Sequence, residues 1–136
     1  MIHSADEFRR LRNSDEPTEY GRAAHEEAPN AVWREIITRF PDLRRWVAHN
    51  KTVPIEILEL LCTDEDPLVR ATVAAKRKLP LRLQEHLAAD PDEGVRERLA
   101  WNPSVTRAVL ALLEQDRSPL VAAQARARLG GVEDLE

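Results

Sequence analysis

Val53-Pro54-Ile55-Glu56-Ile57-Leu58-Glu59-Leu60-Leu61 leads into Thr63-Asp64-Glu65-Asp66-Pro67-Leu68-Val69-Arg70 and Val73-Ala74. Leu79-Pro80-Leu81-Arg82-Leu83 then opens the series again and runs on through Leu87, Asp90-Pro91-Asp92, Val95-Arg96 and Leu99-Ala100. Each matched pair, such as Pro54 and Pro80 or Arg70 and Arg96, is 26 residues apart. A fixed period of this size marks a solenoid built of stacked helix pairs.

The same pattern extends outward in both directions. Toward the N-terminus, Val32, Trp33 and Ile36 correspond to Ile57, Leu58 and Leu61, and Leu43-Arg44 and Val47-Ala48 to Val69-Arg70 and Val73-Ala74. Pro29 and Pro54 are only 25 apart, so one residue is missing near Phe40-Pro41-Asp42. Toward the C-terminus, a unit from Val105 keeps Val109, Leu113, Asp116, Pro119 and Val121, but has Thr106 in place of the proline and Ala122 in place of the arginine.

Residues 1–28 match the repeat poorly and read as N-terminal capping helices; Ser4 and Glu7 have the spacing of a capping box, and Pro17 suits a first helical turn. The expected chain is therefore all-α, an α-α superhelix of about five helix pairs in one domain over 1–131. Repeats fill 29–104, a capping repeat spans 105–131, Gly130-Gly131 ends the last helix, and 132–136 is a flexible tail.

Each unit reads as a helix, a tight turn, a shorter helix and a short connection. Pro29, Pro54 and Pro80 fit the first helical position, where the missing N–H costs nothing. The first helices bury the rows Val32/Ile57/Leu83/Val109 and Ile36/Leu61/Leu87/Leu113. The second helices bury Leu43/Val69/Val95/Val121 and Val47/Val73/Leu99/Ala125. Ala48, Ala74 and Ala100 let neighbouring helices come close. A helix pair this short cannot bury its faces alone, so stacked neighbours must do it.

Composition excludes several classes. Of the 136 residues, 43% are hydrophobic and 32% charged, which suits a folded rather than a disordered chain. The net charge of −4 gives no global pull toward nucleic acid or anionic lipid. The single cysteine, Cys62, excludes an intrachain disulfide and a multi-cysteine metal site. No apolar run is long enough to cross a membrane, and a cytoplasmic location is expected.

At Asp90-Pro91-Asp92-x-x-Val95-Arg96-x-x-Leu99-Ala100-x-Asn102-Pro103 the chain resembles the leucine-rich repeat variant, a relative of HEAT repeats. The copy from Asp64 to Lys76 is similar, with Lys76 where Asn102 stands, and the resemblance covers roughly residues 28–129. It implies an α-α superhelix whose second helices are short or partly 3₁₀. The best-known member carries an iron–sulfur cluster on an N-terminal cysteine motif. This chain has no such cysteines, so no cofactor is implied. Short bacterial members of this type are mostly binding proteins.

Few residues invite a chemical reading. Asp64 with Arg70, and Asp90 with Arg96, recur at the repeat period, which favours an architectural ladder over a catalytic pair. His3, His25, His49 and His86 lack ligand partners at metal spacing, so no metal site is expected. His86 takes the place of Leu60 and Leu112 and reads as a partly buried packing residue. Nothing resembles a phosphate loop or a nucleophile arrangement, and no enzymatic activity is expected.

Two groups remain. On the wheel of the second helices, Trp101 falls opposite the face of Val95 and Leu99, and His49 is the same position two units earlier. Arg45, His49, Arg98 and Trp101 should face solvent, with Trp46 beside them. They form the expected contact surface for a protein or peptide, in an adaptor or immunity-type role, on a monomer or weak homodimer with no membrane partner. The alternative is a nucleic-acid or phosphate binder using Arg39 to Arg45 and the run Lys76, Arg77, Lys78 and Arg82. Residues 31–52 carry five basic and two acidic side chains, a net of +3.

Overall fold

The computed structural model describes residues 1–133, with side chains for 1–130. Among them are ten α-helices, one 3₁₀ turn and no strand, so the all-α reading holds. The helices follow one another as five pairs along the sequence. The chain divides into two compact units, Met1–Thr63 and Asp64–Glu136.

The first unit holds α1 (Ala5–Asn13), α2 (Pro17–His25), α3 (Asn30–Arg39), a 3₁₀ turn (Pro41–Leu43), α4 (Arg44–His49) and α5 (Ile55–Leu61). Ala5, Phe8 and Leu11 share one stripe of α1 and are fully buried. Phe8 meets Trp33 of α3 edge to face, ring centroids 5.6 Å apart, the geometry that aromatic quadrupoles favour. Val32, Ile36, Leu43, Val47, Ile57 and Leu61 complete this core. Ser4 caps α1 through its Oγ, which accepts from the Glu7 N–H at 3.0 Å. The return bond of the expected capping box lands one residue earlier: Glu7 Oε1 accepts from the His3 N–H at 2.7 Å.

The second unit holds α6 (Pro67–Ala74), α7 (Leu81–Ala88), α8 (Glu93–Trp101), α9 (Arg107–Glu114) and α10 (Pro119–Glu133). α8 lies against α6, α7, α9 and α10. Its core is Val69, Val73, Leu83, Leu87, Val95, Leu99, Val109, Leu113, Val121 and Ala125, all buried as the 26-residue register requires. Each such side chain contributes roughly 1.5–3 kcal/mol by leaving water.

Two polar ladders join successive repeats of this unit. Arg70 Nε donates to Asp90 Oδ2 at 2.8 Å, its Nη2 donates to Oδ1 at 3.2 Å, and its Nη1 to the Asp64 carbonyl at 2.7 Å. One repeat on, Arg96 does the same with Asp116 (2.8 and 3.4 Å) and with the Asp90 carbonyl (2.7 Å). Each aspartate also accepts from the backbone N–H two residues on, Asp64 from Asp66, Asp90 from Asp92 and Asp116 from Ser118, closing the turn inside the pair. The Asp–Arg pattern is therefore architectural, as expected.

The second ladder was not anticipated. Asn102 Nδ2 donates to the carbonyls of Ala74 and Lys76, both at 2.8 Å, tying the end of α8 to the end of α6. Arg128 repeats the link from α10, donating to the carbonyls of Ala100, Asn102 and Pro103. A helix C-terminus leaves carbonyls without partners, and these side chains supply them.

Several expectations fail in detail. Pro29, Pro54 and Pro80 are N-caps rather than first helical residues, with ψ of 149°, 162° and 150°. Their extended backbone still offers the carbonyl that opens the helix, as Pro54 does to the N–H groups of Ile57 and Leu58. Starting one residue later shortens the first helices. The second helix is the shorter only in the α3/α4 pair, at 6 residues against 10; α6, α8 and α10 have 8, 9 and 15 residues against 7, 8 and 8 for their partners. Gly130-Gly131 does not end α10, which runs on to Glu133. A glycine stop uses positive φ, and no described glycine has it. Of the tail expected at 132–136, residues 134–136 lie outside the described residues. The missing residue near Pro41 shows as the 3₁₀ turn, which replaces the aspartate-closed turn of the later pairs.

Candidate functional site

α4 presents Arg45 and His49 to solvent, with Trp46 half-buried between them, because Val47 and Ala48 hold the opposite side in the core. The Trp46 indole gathers cations. The Arg12 guanidinium of α1 sits 3.4 Å from its ring centroid and that of Arg45 4.9 Å. His49 meets it edge to face at 5.7 Å. A cation over an indole face is held by the ring quadrupole, most strongly where water is excluded.

Arg12, Trp46 and His49, with Tyr20, Ala23 and Ala24, line a cleft of about 390 Å³ in the first unit. That volume lies within the range of small-ligand and side-chain pockets. Ala23 and Ala24 give it an apolar wall, and its polar side-chain groups are one guanidinium, one imidazole, one phenol and one indole N–H; among the described residues no carboxylate lines it. Two carboxylates of α2 and its C-terminal cap are engaged elsewhere. Glu19 of α2 accepts from Arg10 and from the Ser14 hydroxyl, which hold its acidity above the ordinary carboxyl value. Glu26 accepts from Arg22, which pulls its pKa from 4.5 down to about 2.

In the second unit, Arg98 and Trp101 lie on the exposed side of α8, and Trp101 is 60% exposed. Trp101 therefore does not pack beneath the Asn102-Pro103 connection. The expected exposure of Arg45, His49, Arg98 and Trp101 is met, and the structure groups them as Arg45–Trp46–His49 on α4 and Arg98–Trp101 on α8.

The basic run is less free than its sequence suggests. Arg77 and Lys78 are exposed between α6 and α7, whereas Lys76 is half-buried and, like Arg82, makes an interaction of its own. Arg39 is claimed by Asp6 and Glu35 at 3.0 and 2.9 Å, which raise its pKa, and Arg44 donates to the Ile37 carbonyl at 2.8 Å. His86 is exposed, not partly buried as expected. The equivalent Leu60 and Leu112 are 42% and 57% exposed, so the whole register position faces outward.

Sequence reasoning missed two residues. Arg12 was assigned no role, because its stack on Trp46 joins helices far apart in the chain. Gln84 stands where Leu58 and Leu110 are buried, and is itself buried; its amide donates to the Leu79 carbonyl and accepts from the Thr106 N–H. The repeat register, which puts a polar residue in an apolar row, was the available signal. Among the described residues no three of His, Cys, Asp and Glu group as a metal cage, and no helix is long and apolar enough to cross a membrane. No family model, no curated protein and no solved structure matches the chain.

Proposed function

We propose that the protein is a non-catalytic protein- or peptide-binding helical-repeat protein of the leucine-rich repeat variant type, acting as an adaptor in the cytoplasm. Its contacts lie on the outer faces of its second helices, α4 in the first unit and α8 in the second. The observation that carries this reading is Trp101, a large aromatic 60% exposed on a helix whose other side is fully packed. Water around an indole is costly, and tryptophan is among the residues that most often anchor interfaces. Arg98 beside it is the other common anchor type. A catalytic reading of the polar network gains nothing from the geometry, since Arg70, Asp90, Arg96 and Asp116 are bound to one another or to backbone.

The test is Trp101→Ala. A contact anchor predicts a melting temperature within about 2 °C of the parent and a binding loss of more than about 1 kcal/mol against whatever partner the native host supplies. A large fall in melting temperature with no separate effect on binding would return Trp101 to a structural role.

A further inference from the structure

The arginines of this chain that are not exposed are Arg12, Arg22, Arg44, Arg70, Arg96 and Arg128. Five of them donate to an oxygen acceptor: Arg22 to Glu26, Arg44 to the Ile37 carbonyl, Arg70 to Asp90, Arg96 to Asp116 and Arg128 to the end of α8. Arg12 alone does not. Its Nε is buried and meets no acceptor, and its guanidinium lies on Trp46 instead. A half-buried guanidinium without an acceptor forgoes the charge-assisted bonds that offset its desolvation. A second cation, Arg45, stacks on Trp46 from outside the cleft, and among the described residues no carboxylate lines the cleft.

We infer that this cleft receives an acidic peptide segment, with an Asp or Glu carboxylate of the partner against the Arg12 guanidinium. The inference rests on the peptide-binding reading above and names the chemistry of the partner at α4. The fork of the guanidinium's two terminal nitrogens, rather than its buried Nε, matches a carboxylate in two parallel bonds. Contact with the Trp46 ring holds the guanidinium in place in advance, so little freedom is lost when the acid arrives. Tyr20, Ala23 and Ala24 form an apolar wall beside the fork, which suits an aliphatic neighbour of the acidic residue. A nucleobase fits less well, because the indole that would stack on it already carries Arg12 and Arg45. The chain's net charge of −4 confines the attraction for acids to this local site.

The experiment selects binders from a random eight-residue peptide display library on the full chain and synthesises the strongest one with a fluorescent label. Anisotropy then compares it with its Asp→Asn and Glu→Gln counterpart, and with Arg12→Met, Arg12→Lys and the exposed control Arg126→Gln. Selected peptides should carry Asp or Glu, and the amide counterpart should bind at least tenfold more weakly. Arg12→Met should lose at least tenfold, Arg12→Lys part of that, and Arg126→Gln nothing. Should Arg12→Met fail to fold, the ¹H–¹⁵N indole signal of Trp46 in the parent chain decides, and it should shift on addition of the acidic peptide but not the amide. Peptides that bind without acid, or without moving Trp46, overturn the inference and leave the peptide-binding reading standing. A labelled single-stranded RNA that displaces the peptide with higher affinity overturns it in favour of a phosphate site. A library that yields no binder overturns both the inference and the peptide-binding reading.

Discussion

Asn102 does in the second unit what Asn50 does in the first. Asn50 Nδ2 donates to the carbonyls of Ala23 and Glu26, at 2.8 and 3.0 Å, and its Oδ1 accepts from the Thr52 N–H at 2.7 Å. Asn102 makes the same set to Ala74, Lys76 and Ser104, each at 2.8 Å. Both side chains are almost fully buried. Only an amide can serve, since the position needs two donors and an acceptor on one short side chain.

Asn102→Ala should therefore destabilise the protein by roughly 1–3 kcal/mol, the cost of leaving buried backbone groups unpaired. Asn102→Asp should do no better than alanine, because a carboxylate cannot donate to the Ala74 and Lys76 carbonyls. Urea unfolding of both variants checks this, and a stable aspartate variant would show the bonds to be dispensable.

The apolar rows give a second expectation. Leu61 and Leu87 are essentially inaccessible to water, and truncation of either to alanine should cost roughly 2–5 kcal/mol. Losses below about 0.5 kcal/mol at both sites by chemical denaturation would contradict the packing described.

A third concerns the arginine ladder. The Asp90 and Arg70 side chains are 3% and 14% exposed, and the Asp90 hydrogen bond raises the pKa of Arg70. Asp90→Ala leaves a largely buried guanidinium with its carboxylate removed, at a cost of about 3–5 kcal/mol. Calorimetry should show this loss. The double variant Asp90→Ala with Arg70→Met should recover part of it, since apolar replacements of a buried pair are often tolerated.

The fourth is a pH dependence at Glu26. Arg22 lowers its pKa in the folded chain from 4.5 to about 2. A depressed carboxyl contributes stability that is fully present above its unfolded value and is lost as pH falls through the folded one. The parent should therefore lose melting temperature between pH 4.5 and about 2, and Glu26→Gln should lose less over that interval. Because the Arg22 and Glu26 side chains are partly exposed, at 37% and 28%, the difference should shrink in high salt. Parallel slopes for the two proteins would remove Glu26 from the acid response.

The periodic apolar residues and Asp–Arg pairs were legible because each recurs at one spacing, and recurrence separates architecture from accident. The exposure of Trp101, Arg98, Arg45 and His49 followed from the wheel of the second helices alone. What escaped was decided by satisfaction across space. Gln84 looks wrong for its row until the Leu79 carbonyl and the Thr106 N–H are seen to complete its amide. His86 was read inward because Leu60 and Leu112 share its position, yet apolar residues stand in water on this face. Arg12 carries no periodic signal at all, since α1 belongs to the part of the chain that departs from the repeat.

The Arg70–Asp90 and Arg96–Asp116 links carry a consequence for how such a chain can change over time. Each arginine reaches an aspartate lying one period beyond its own. Excising one whole period would bring Arg70 to Asp116 in the register that Arg96 now holds, and every bond would be remade. A deletion between linked partners that is not a whole number of periods would separate an arginine from its aspartate. Gains and losses of sequence here are expected to come as complete modules, so that length is effectively quantised and inheritance by duplication is the path of least damage.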